Sequence, residues 1–243
     1  MYLLSAAGIL FRKGFNVFRL NLRDHGTSHH LNRDPFHSCR LDEVLDAMQI
    51  IARDYQNNGN LFLGGFSLGG NFALRVAVKA PARGIPLDRV VAICPVLHPP
   101  VTMESIEDGP FFYRWYFIRK WKQSLLKKQT LFPDHYSFDD PEMFRSLLRM
   151  TEVLVERYTP FPDAQTYLNG YSIIGDGLKE LRIPSHIIFS RDDPVIPHGD
   201  LAKLARTPYL DIIETGYGGH CGFIKGLSLK SWVDEKLVDL LLS

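Results

Sequence analysis

LFLGGFSLGGN, residues 61–71, has the pattern of a sharp turn between a strand and a helix. The short apolar run Leu61–Phe66 predicts a buried strand, and the apolar stretch Phe72–Ala80, which ends at a proline, predicts a helix. Ser67 lies between them in the pattern G-x-S-x-G, which gains its chemical meaning from this strand-to-helix context. The stretch therefore predicts an exposed serine hydroxyl on a strained corner of the backbone.

The residues beside the serine are typical of a nucleophile that is served by backbone donors. We expect Gly65 and Gly69 to be glycines because side chains at these positions would clash with the neighbouring strand and helix. The helix begins directly after Ser67, so the Leu68 N–H is a candidate donor to a developing oxyanion. A glycine-rich turn without chemistry is the alternative that this motif alone leaves open.

The rest of the chain predicts a parallel sheet between helices. Continuous apolar runs at Val90–Cys94, Ile187–Phe189 and Leu210–Ile213 are typical of buried strands, and Phe15–Leu22 alternates apolar and polar residues as a further strand. These runs are separated by segments with helical periodicity, which argues for an α/β fold with helices on both faces of a mostly parallel sheet. Helices are predicted over Met1–Lys13, from Leu41 to about Asn57, and over Leu227–Leu242.

The pattern changes between about residues 97 and 182, where aromatic, basic and proline-punctuated segments replace the strands. We interpret this region as a helical cap inserted into a single domain that covers residues 1–243. Within it, Arg114–Lys128 interleaves basic and aromatic side chains. Such a helix can make peripheral contact with a lipid surface, or it can cover an active site with its aromatic side chains and leave its charges in solvent. Both interpretations favour a hydrophobic, ester-like substrate.

A serine nucleophile needs a histidine base and a carboxylate, each on a loop after a later strand. Asp192 and Asp193 follow the predicted strand that ends at Phe189, and His220 lies in a glycine-rich loop after the next predicted strand. Singly, each residue is compatible with an ordinary loop role. Together, the chain order Ser, Asp, His is that of the α/β-hydrolase fold and predicts a triad with His220 as general base.

Four segments resemble the YheT-like branch of the α/β-hydrolases, which also contains the eukaryotic ABHD1, ABHD2 and ABHD3 type lipid hydrolases. Asn21–Gly26 (NLRDHG) looks like the NxRGHG segment of this family, and Gly65–Asn71 reads GFSLGGN. Asp192–Pro197 (DDPVIP) is similar to the acid loop of the family, and Gly218–Phe223 reads GGHCGF. The resemblance extends across almost the whole chain.

The resemblance implies a serine hydrolase that cleaves carboxylic esters of lipids or other hydrophobic acyl groups and needs no cofactor. It implies that the acid is the aspartate directly before a proline, Asp193, with Asp192 as the alternative. An acyltransferase with the same triad and a non-catalytic binding protein with the same fold are the rival functions. Asp24 departs from the usual glycine of the family without touching the triad.

Family members also carry first strands and an HG loop with a second oxyanion donor, which would precede Met1. Either the protein is longer than this chain, which is the interpretation that we favour, or its sheet lacks these strands. The loss of one oxyanion donor costs about a hundredfold to a thousandfold in turnover.

Composition restricts the partners and the location. The net charge of +1 creates no general attraction for nucleic acid, and neither a nucleic-acid motif nor a phosphate-binding loop is present in the sequence. Three cysteines without CxxC spacing predict neither disulfides nor a zinc site. Cys94 lies in a predicted core strand and needs no special role, and Cys221 is discounted as a thiol nucleophile because it follows His220 in a loop without a nucleophile elbow. With no signal peptide and no membrane-spanning run, we expect a cytoplasmic protein.

One cluster of potential metal ligands stands out in the sequence and comprises Asp24, His25, His29 and His30. All four lie in one irregular segment, with no separate element to complete a ligand set. We therefore expect them to have a loop role and predict no bound metal.

Overall fold

The computed structural model describes residues 2–57, 59–226 and 230–242. It divides into two compact units. The first unit comprises Met1–Arg19, Leu41–His98 and Ser172–Ser243, and the second comprises Leu20–Arg40 and Pro99–Tyr171. The second unit thus includes an early segment that lies outside the predicted insertion at about 97–182, and it ends before residue 182.

The described helices and strands follow the alternation expected from the sequence. The first unit contains α1 (Tyr2–Arg12), α2 (Leu41–Tyr55), β1 (Phe62–Phe66), α3 (Leu68–Lys79), β2 (Arg89–Ile93), β3 (Ser185–Ser190), β4 (Leu210–Thr215), β5 (Ile224–Lys225), β6 (Lys230–Ser231) and α8 (Trp232–Leu242), and the second contains α4 (Pro99–Asp108), α5 (Phe111–Leu131), α6 (Leu147–Tyr158) and α7 (Ala164–Asn169).

The sheet of the first unit is parallel and has the strand order β1-β2-β3-β4. Phe66 at the end of β1 pairs with Ile93 at the end of β2, and Ile93 pairs in turn with Ile188 of β3. In a parallel sheet the carboxyl ends of all strands meet at one edge, and the loops after them are therefore neighbours. The predicted α/β class with its mostly parallel sheet is confirmed.

Helices cover the sheet because the central strands β2 and β3 carry buried apolar side chains on both faces. Val91 and Ile93 of β2 pack into a buried cluster with Ala6 of α1 and with Val233 and Leu237 of α8. α3 also packs against β1 and β2 but contributes no residue to this cluster. α2 packs in turn against α3.

The predicted strand Phe15–Leu22 is wrong, since these residues form no strand. Alternation describes an extended, half-buried chain, whereas a strand also requires a ladder of hydrogen bonds to a neighbour. Phe15 does pack against Phe62 of β1, but Phe18 and Leu20 are exposed.

The closing helix begins at Trp232, because Lys230 and Ser231 pair with Ile224 and Lys225 in the β5–β6 hairpin. The predicted start of that helix, at residues 227–229, lies outside the described residues.

The second unit has its own core and a buried ion pair. Leu125, Met150 and Leu154 are among the buried residues of this core, and Trp121 packs against them. Asp24 adopts a positive φ of 57° and accepts a 2.8 Å hydrogen bond from the buried Lys128 ammonium. Asp24 is thus one half of a buried ion pair in this chain. In the described parts of both units, no helix is long and apolar enough to cross a bilayer.

Candidate active site

Ser67 occupies the corner between β1 and α3 in a strained backbone conformation. Its φ of 51° and ψ of −120° are unfavourable for a residue with a side chain. Three backbone hydrogen bonds hold this corner: the Ser67 N–H donates to Ile93 O at 2.8 Å, and the Ser67 carbonyl accepts from Asn71 N at 3.1 Å and from Val96 N at 3.3 Å. The backbone of the neighbouring strand therefore stabilises the predicted strained turn.

The glycines of the G-x-S-x-G motif are required to very different degrees. A Cβ at Gly65 would lie 2.1 Å from Gly69 O, which no backbone tolerates. A Cβ at Gly69 would meet no atom within 4 Å, so the predicted clash at this position is wrong. Gly70 is the second restricted position, because its Cβ would lie 3.1 Å from both Gly65 O and Pro95 Cβ. The close contact thus lies between residue 65 and the backbone of residues 69 and 70, whereas a side chain at Gly69 would meet open space.

A line of hydrogen bonds joins the serine to a buried carboxylate. His220 Nε2 lies 3.0 Å from Ser67 Oγ, and His220 Nδ1 lies 2.9 Å from Asp193 Oδ2. Asp193 Oδ1 also accepts hydrogen bonds from the Val195 and Ile196 N–H groups at 2.8 and 3.1 Å. The Asp193 side chain is fully buried and that of His220 is 9% exposed. The structure therefore brings together the three residues that the sequence predicts.

Asp192 makes different contacts from those of Asp193. Its carboxylate is exposed, and Oδ1 accepts hydrogen bonds from the Gly218 and Gly219 N–H groups at 2.9 and 2.8 Å. The Ser190 hydroxyl also donates to this oxygen, and these bonds together hold the pKa of Asp192 below its ordinary value. Asp192, the alternative acid, thus holds the loop that carries His220. Sequence reasoning missed this role, although two glycine N–H groups just before a histidine are a usable signal.

The environment of His220 favours its protonated form. Burial lowers the pKa of the imidazole, but the hydrogen bond to Asp193 and the contact with Cys221 outweigh burial and raise the pKa to about 10. A carboxylate at Nδ1 stabilises the imidazolium that forms when Nε2 accepts a proton. The geometry therefore suits a proton acceptor for the Ser67 hydroxyl, and the imidazole acts in its neutral form, whose share grows as the pH rises towards 10.

The predicted oxyanion donor lies at the start of α3. Leu68 is the first residue of this helix, where no carbonyl of the helix itself can accept its N–H. The positive end of the helix dipole adds to the attraction for a negative oxygen beside Ser67.

Cys94 and Cys221 lie beside the base, which sequence reasoning did not anticipate. Cys94 directly follows β2, and its Sγ lies 3.9 Å from Gly219 O, while Cys221 Sγ lies 3.9 Å from Ile93 O. The contact with Cys221 and burial raise the pKa of the Cys94 thiol. The two sulfur atoms and a ring nitrogen of His220 lie within 4.8 Å of one another.

The histidines near Asp24 have separate partners in the second unit. His25 Nδ1 contacts Arg23 O at 2.8 Å, His30 Nδ1 contacts Thr27 O at 2.9 Å, and His29 Nε2 contacts Ser124 Oγ at 2.8 Å. Among the described residues, no group of potential metal ligands includes any of them. A structural role in this segment accounts for their contacts.

The parallel sheet and its strained serine corner define a protein of the α/β-hydrolase class. The sequence profile of the Hydrolase_4 family, described as serine aminopeptidase S33, matches residues 3–208. The chain belongs to this family. Its membership of the YheT-like branch stays a prediction.

Known relatives match different shares of the chain. Human protein ABHD15 is 30% identical over 155 residues, which cover 60% of this chain and 32% of ABHD15. The chain thus spans about a third of the length of that relative. Among solved structures, the Pyrococcus furiosus esterase Pf2001 matches 99% of this chain and 74% of its own, with a TM-score of 0.61 and 13% identity.

Two further solved structures are similar at the same level. A structure from the metagenome-derived lipolytic enzymes LipS and LipT matches 99% of this chain and 87% of its own, with a TM-score of 0.56 and 16% identity. The Paleococcus ferrophilus monoacylglycerol lipase matches 98% of this chain and 87% of its own, with a TM-score of 0.55 and 16% identity. At these identities the likeness is one of fold.

Proposed function

We propose that this chain hydrolyses carboxylic esters with hydrophobic acyl groups through an acyl-enzyme on Ser67. The observation that carries the proposal is the unbroken line from Ser67 Oγ to His220 Nε2 at 3.0 Å and from His220 Nδ1 to Asp193 Oδ2 at 2.9 Å. A hydroxyl, an imidazole and a carboxylate in this order are the parts that acyl transfer requires. The similarity to an esterase and to lipolytic enzymes is consistent with an ester substrate.

In the first half of the reaction, Ser67 Oγ attacks the ester carbonyl carbon while its proton passes to His220 Nε2. The Leu68 N–H donates to the resulting oxyanion, and Asp193 stabilises the imidazolium. Collapse of the tetrahedral intermediate breaks the bond to the alcohol oxygen, which takes the proton from His220. An acyl-enzyme on Ser67 and a free alcohol remain.

In the second half, His220 accepts a proton from water as the water oxygen attacks the acyl carbon. The bond to Ser67 Oγ then breaks, the serine recovers its proton and the carboxylic acid leaves. An acyltransferase follows the same steps with an alcohol or thiol in place of water. Product analysis with an added acceptor alcohol distinguishes the two, since only a transferase accumulates the new ester as its main product.

Two adjacent aspartates provide a matched test of the proposed function. Hydrolysis of p-nitrophenyl esters of increasing chain length is measured for the wild type, Asp193→Asn and Asp192→Asn. We expect Asp193→Asn to lower kcat by about 10⁴-fold, because the imidazolium loses its counter-charge and the correct tautomer. Asp192→Asn keeps an acceptor oxygen for the His220 loop and should stay within about tenfold of the wild type.

Equal losses in the two variants, or an activity that survives Ser67→Ala, would contradict the proposal. An aminoacyl p-nitroanilide is measured alongside the esters, and preferential cleavage of this anilide would favour the aminopeptidase activity in the family description.

We propose as a partner an anionic lipid surface that binds the amino-terminal half of α5. Four aromatic side chains are exposed there, with Phe111 at 74% and Trp115 at 56%, and the helix contains neither Asp nor Glu. Arg119 lies over the Trp115 ring at 5.1 Å, which combines a cation with an apolar face. An exposed aromatic patch with basic neighbours is typical of interfacial helices.

Vesicle co-sedimentation tests this surface. We expect binding to vesicles that contain phosphatidylserine, weaker binding to phosphatidylcholine alone, and a roughly tenfold loss of partitioning for Phe111→Ala/Trp115→Ala. Ile50→Ala, at a half-exposed apolar position on α2, is the matched control and should bind like the wild type. Equal binding of the double variant and the wild type would contradict a lipid surface at α5.

A further inference from the structure

Two buried thiols flank the proposed base, and the mechanism of ester hydrolysis uses neither. Cys94 is fully buried and Cys221 is 2% exposed. Their sulfur atoms and a ring nitrogen of His220 lie within 4.8 Å of one another, and this is the one group of potential metal ligands found among residues 2–57, 59–226 and 230–242. The ligand atoms come from two different loops, one after β2 and one after β4.

The backbone holds both cysteines in unusual conformations. Cys94 has a φ of 43° and Cys221 a φ of 67°, a region that side chains rarely adopt. The Cys94 N–H donates to Ile188 O at 2.8 Å, and Phe223 N donates to Gly218 O at 2.8 Å, so that both loops are fixed by hydrogen bonds. Strain of this kind persists where the surrounding structure enforces it, and it concentrates at functional sites.

We propose that Cys94, His220 and Cys221 form a binding site for a thiophilic divalent metal ion, with zinc as the expected ion. Two thiolates and one imidazole are a preferred zinc ligand set, and three protein ligands leave a fourth position for solvent. Zinc–sulfur and zinc–nitrogen bonds of about 2.3 and 2.0 Å place tetrahedral ligand atoms about 3.5 to 3.8 Å apart. Atoms within 4.8 Å of one another reach that geometry when each pair approaches by about 1.3 Å or less.

Metal binding at this site inhibits the hydrolase, a consequence that rests on the proposed function. His220 Nε2 contacts Ser67 Oγ and Nδ1 contacts Asp193, so either nitrogen that binds the ion gives up one contact of the triad. Each of the two thiols loses a proton as its sulfur binds zinc, and no electron is transferred. Zinc thus competes with the proton that the base must accept.

Metal binding is measured directly and separately from activity. The wild-type protein in a thiol-free reductant is titrated with zinc by calorimetry, and cobalt serves as a spectroscopic probe of thiolate ligands. We expect one ion per chain and a thiolate-to-cobalt charge-transfer band. The double variant Cys94→Ala/Cys221→Ala should lose both signals, and the single variants should bind at least tenfold more weakly. Cys39→Ala changes the third cysteine, which lies in the second unit, and should bind like the wild type.

Inhibition is then measured with a fluorophosphonate probe. We expect saturating zinc to slow labelling of the wild type at least tenfold, and a chelator to restore it. Ser67→Ala should still bind zinc while it cannot be labelled, which separates failure of the metal site from failure of the proposed function. Thermal unfolding identifies any variant that does not fold. If the double cysteine variant does not fold, zinc binding by the single cysteine variants tests the metal site.

Binding of zinc to the double cysteine variant with unchanged stoichiometry would overturn the proposal. Absence of a bound ion in the folded wild type would also overturn it, whatever its esterase activity.

Discussion

Replacement of each glycine at the serine corner by alanine should give a graded series. At Gly65 the new Cβ would lie 2.1 Å from Gly69 O, against a closest observed approach of about 3.0 Å, so the backbone must move by about 0.9 Å. An overpacked backbone contact of this kind costs about 3 kcal/mol or more. A displacement of about 1 Å at the nucleophile costs about a hundredfold in rate.

Gly69→Ala is the matched opposite, because its Cβ meets no atom within 4 Å and the position belongs to α3. Alanine in a helix is favoured over glycine by about 1 kcal/mol, so we expect stability equal to or above that of the wild type. Gly70→Ala should be intermediate, since its 3.1 Å contacts require shifts of a few tenths of an ångström. Urea unfolding and fluorophosphonate labelling measure the series. A Gly69→Ala variant as unstable and unreactive as Gly65→Ala would refute this account of the corner.

Three further predictions concern the charged groups. Because the pKa of His220 is raised to about 10, kcat/KM should rise with pH and level off only near pH 10, where the base is neutral. Asp193→Asn should move this limb to lower pH, and an unshifted limb would contradict the pairing. Asp192→Ala leaves the Gly218 and Gly219 N–H groups of the His220 loop without their acceptor. This variant should lower kcat/KM by about 10- to 100-fold with little change in KM. A change in KM alone would argue against a positioning role. Asp24→Asn leaves the Lys128 ammonium buried without its counter-charge and should lower the free energy of unfolding in urea by about 3 to 5 kcal/mol. The double variant Asp24→Asn/Lys128→Met should recover most of this loss. A loss below about 1 kcal/mol would show that the pair is not buried in solution.

Most of the first unit could be predicted from the sequence because its strands are continuous apolar runs. Such runs identify buried parallel strands without knowledge of their partners, and β1, β2, β3 and β4 all lie where they were expected. The candidate triad could be predicted from the sequence for the same reason. Once the strands are placed, parallel topology brings the loops after β1, β3 and β4 to one edge.

The features that sequence reasoning missed all depend on contacts between residues distant along the chain. Phe15–Leu22 alternates like a strand, yet no ladder of hydrogen bonds forms there. The open space at Gly69 and the grouping of residues 20–40 with residues 99–171 follow from three-dimensional neighbours that periodicity does not encode. The sulfur atoms of Cys94 and Cys221 lie close together because the loops after β2 and β4 converge. No CxxC spacing in the sequence indicates this proximity.

The most direct test of the central claim is the site of covalent modification by a fluorophosphonate probe. The phosphonate forms a bond to an activated serine oxygen and releases fluoride, so peptide mass spectrometry identifies the nucleophile. We expect one adduct per chain on the peptide that contains Ser67, with no adduct in Ser67→Ala and labelling reduced at least a thousandfold in His220→Ala. A folded wild-type protein that forms no adduct, or an adduct on another residue, would contradict the account.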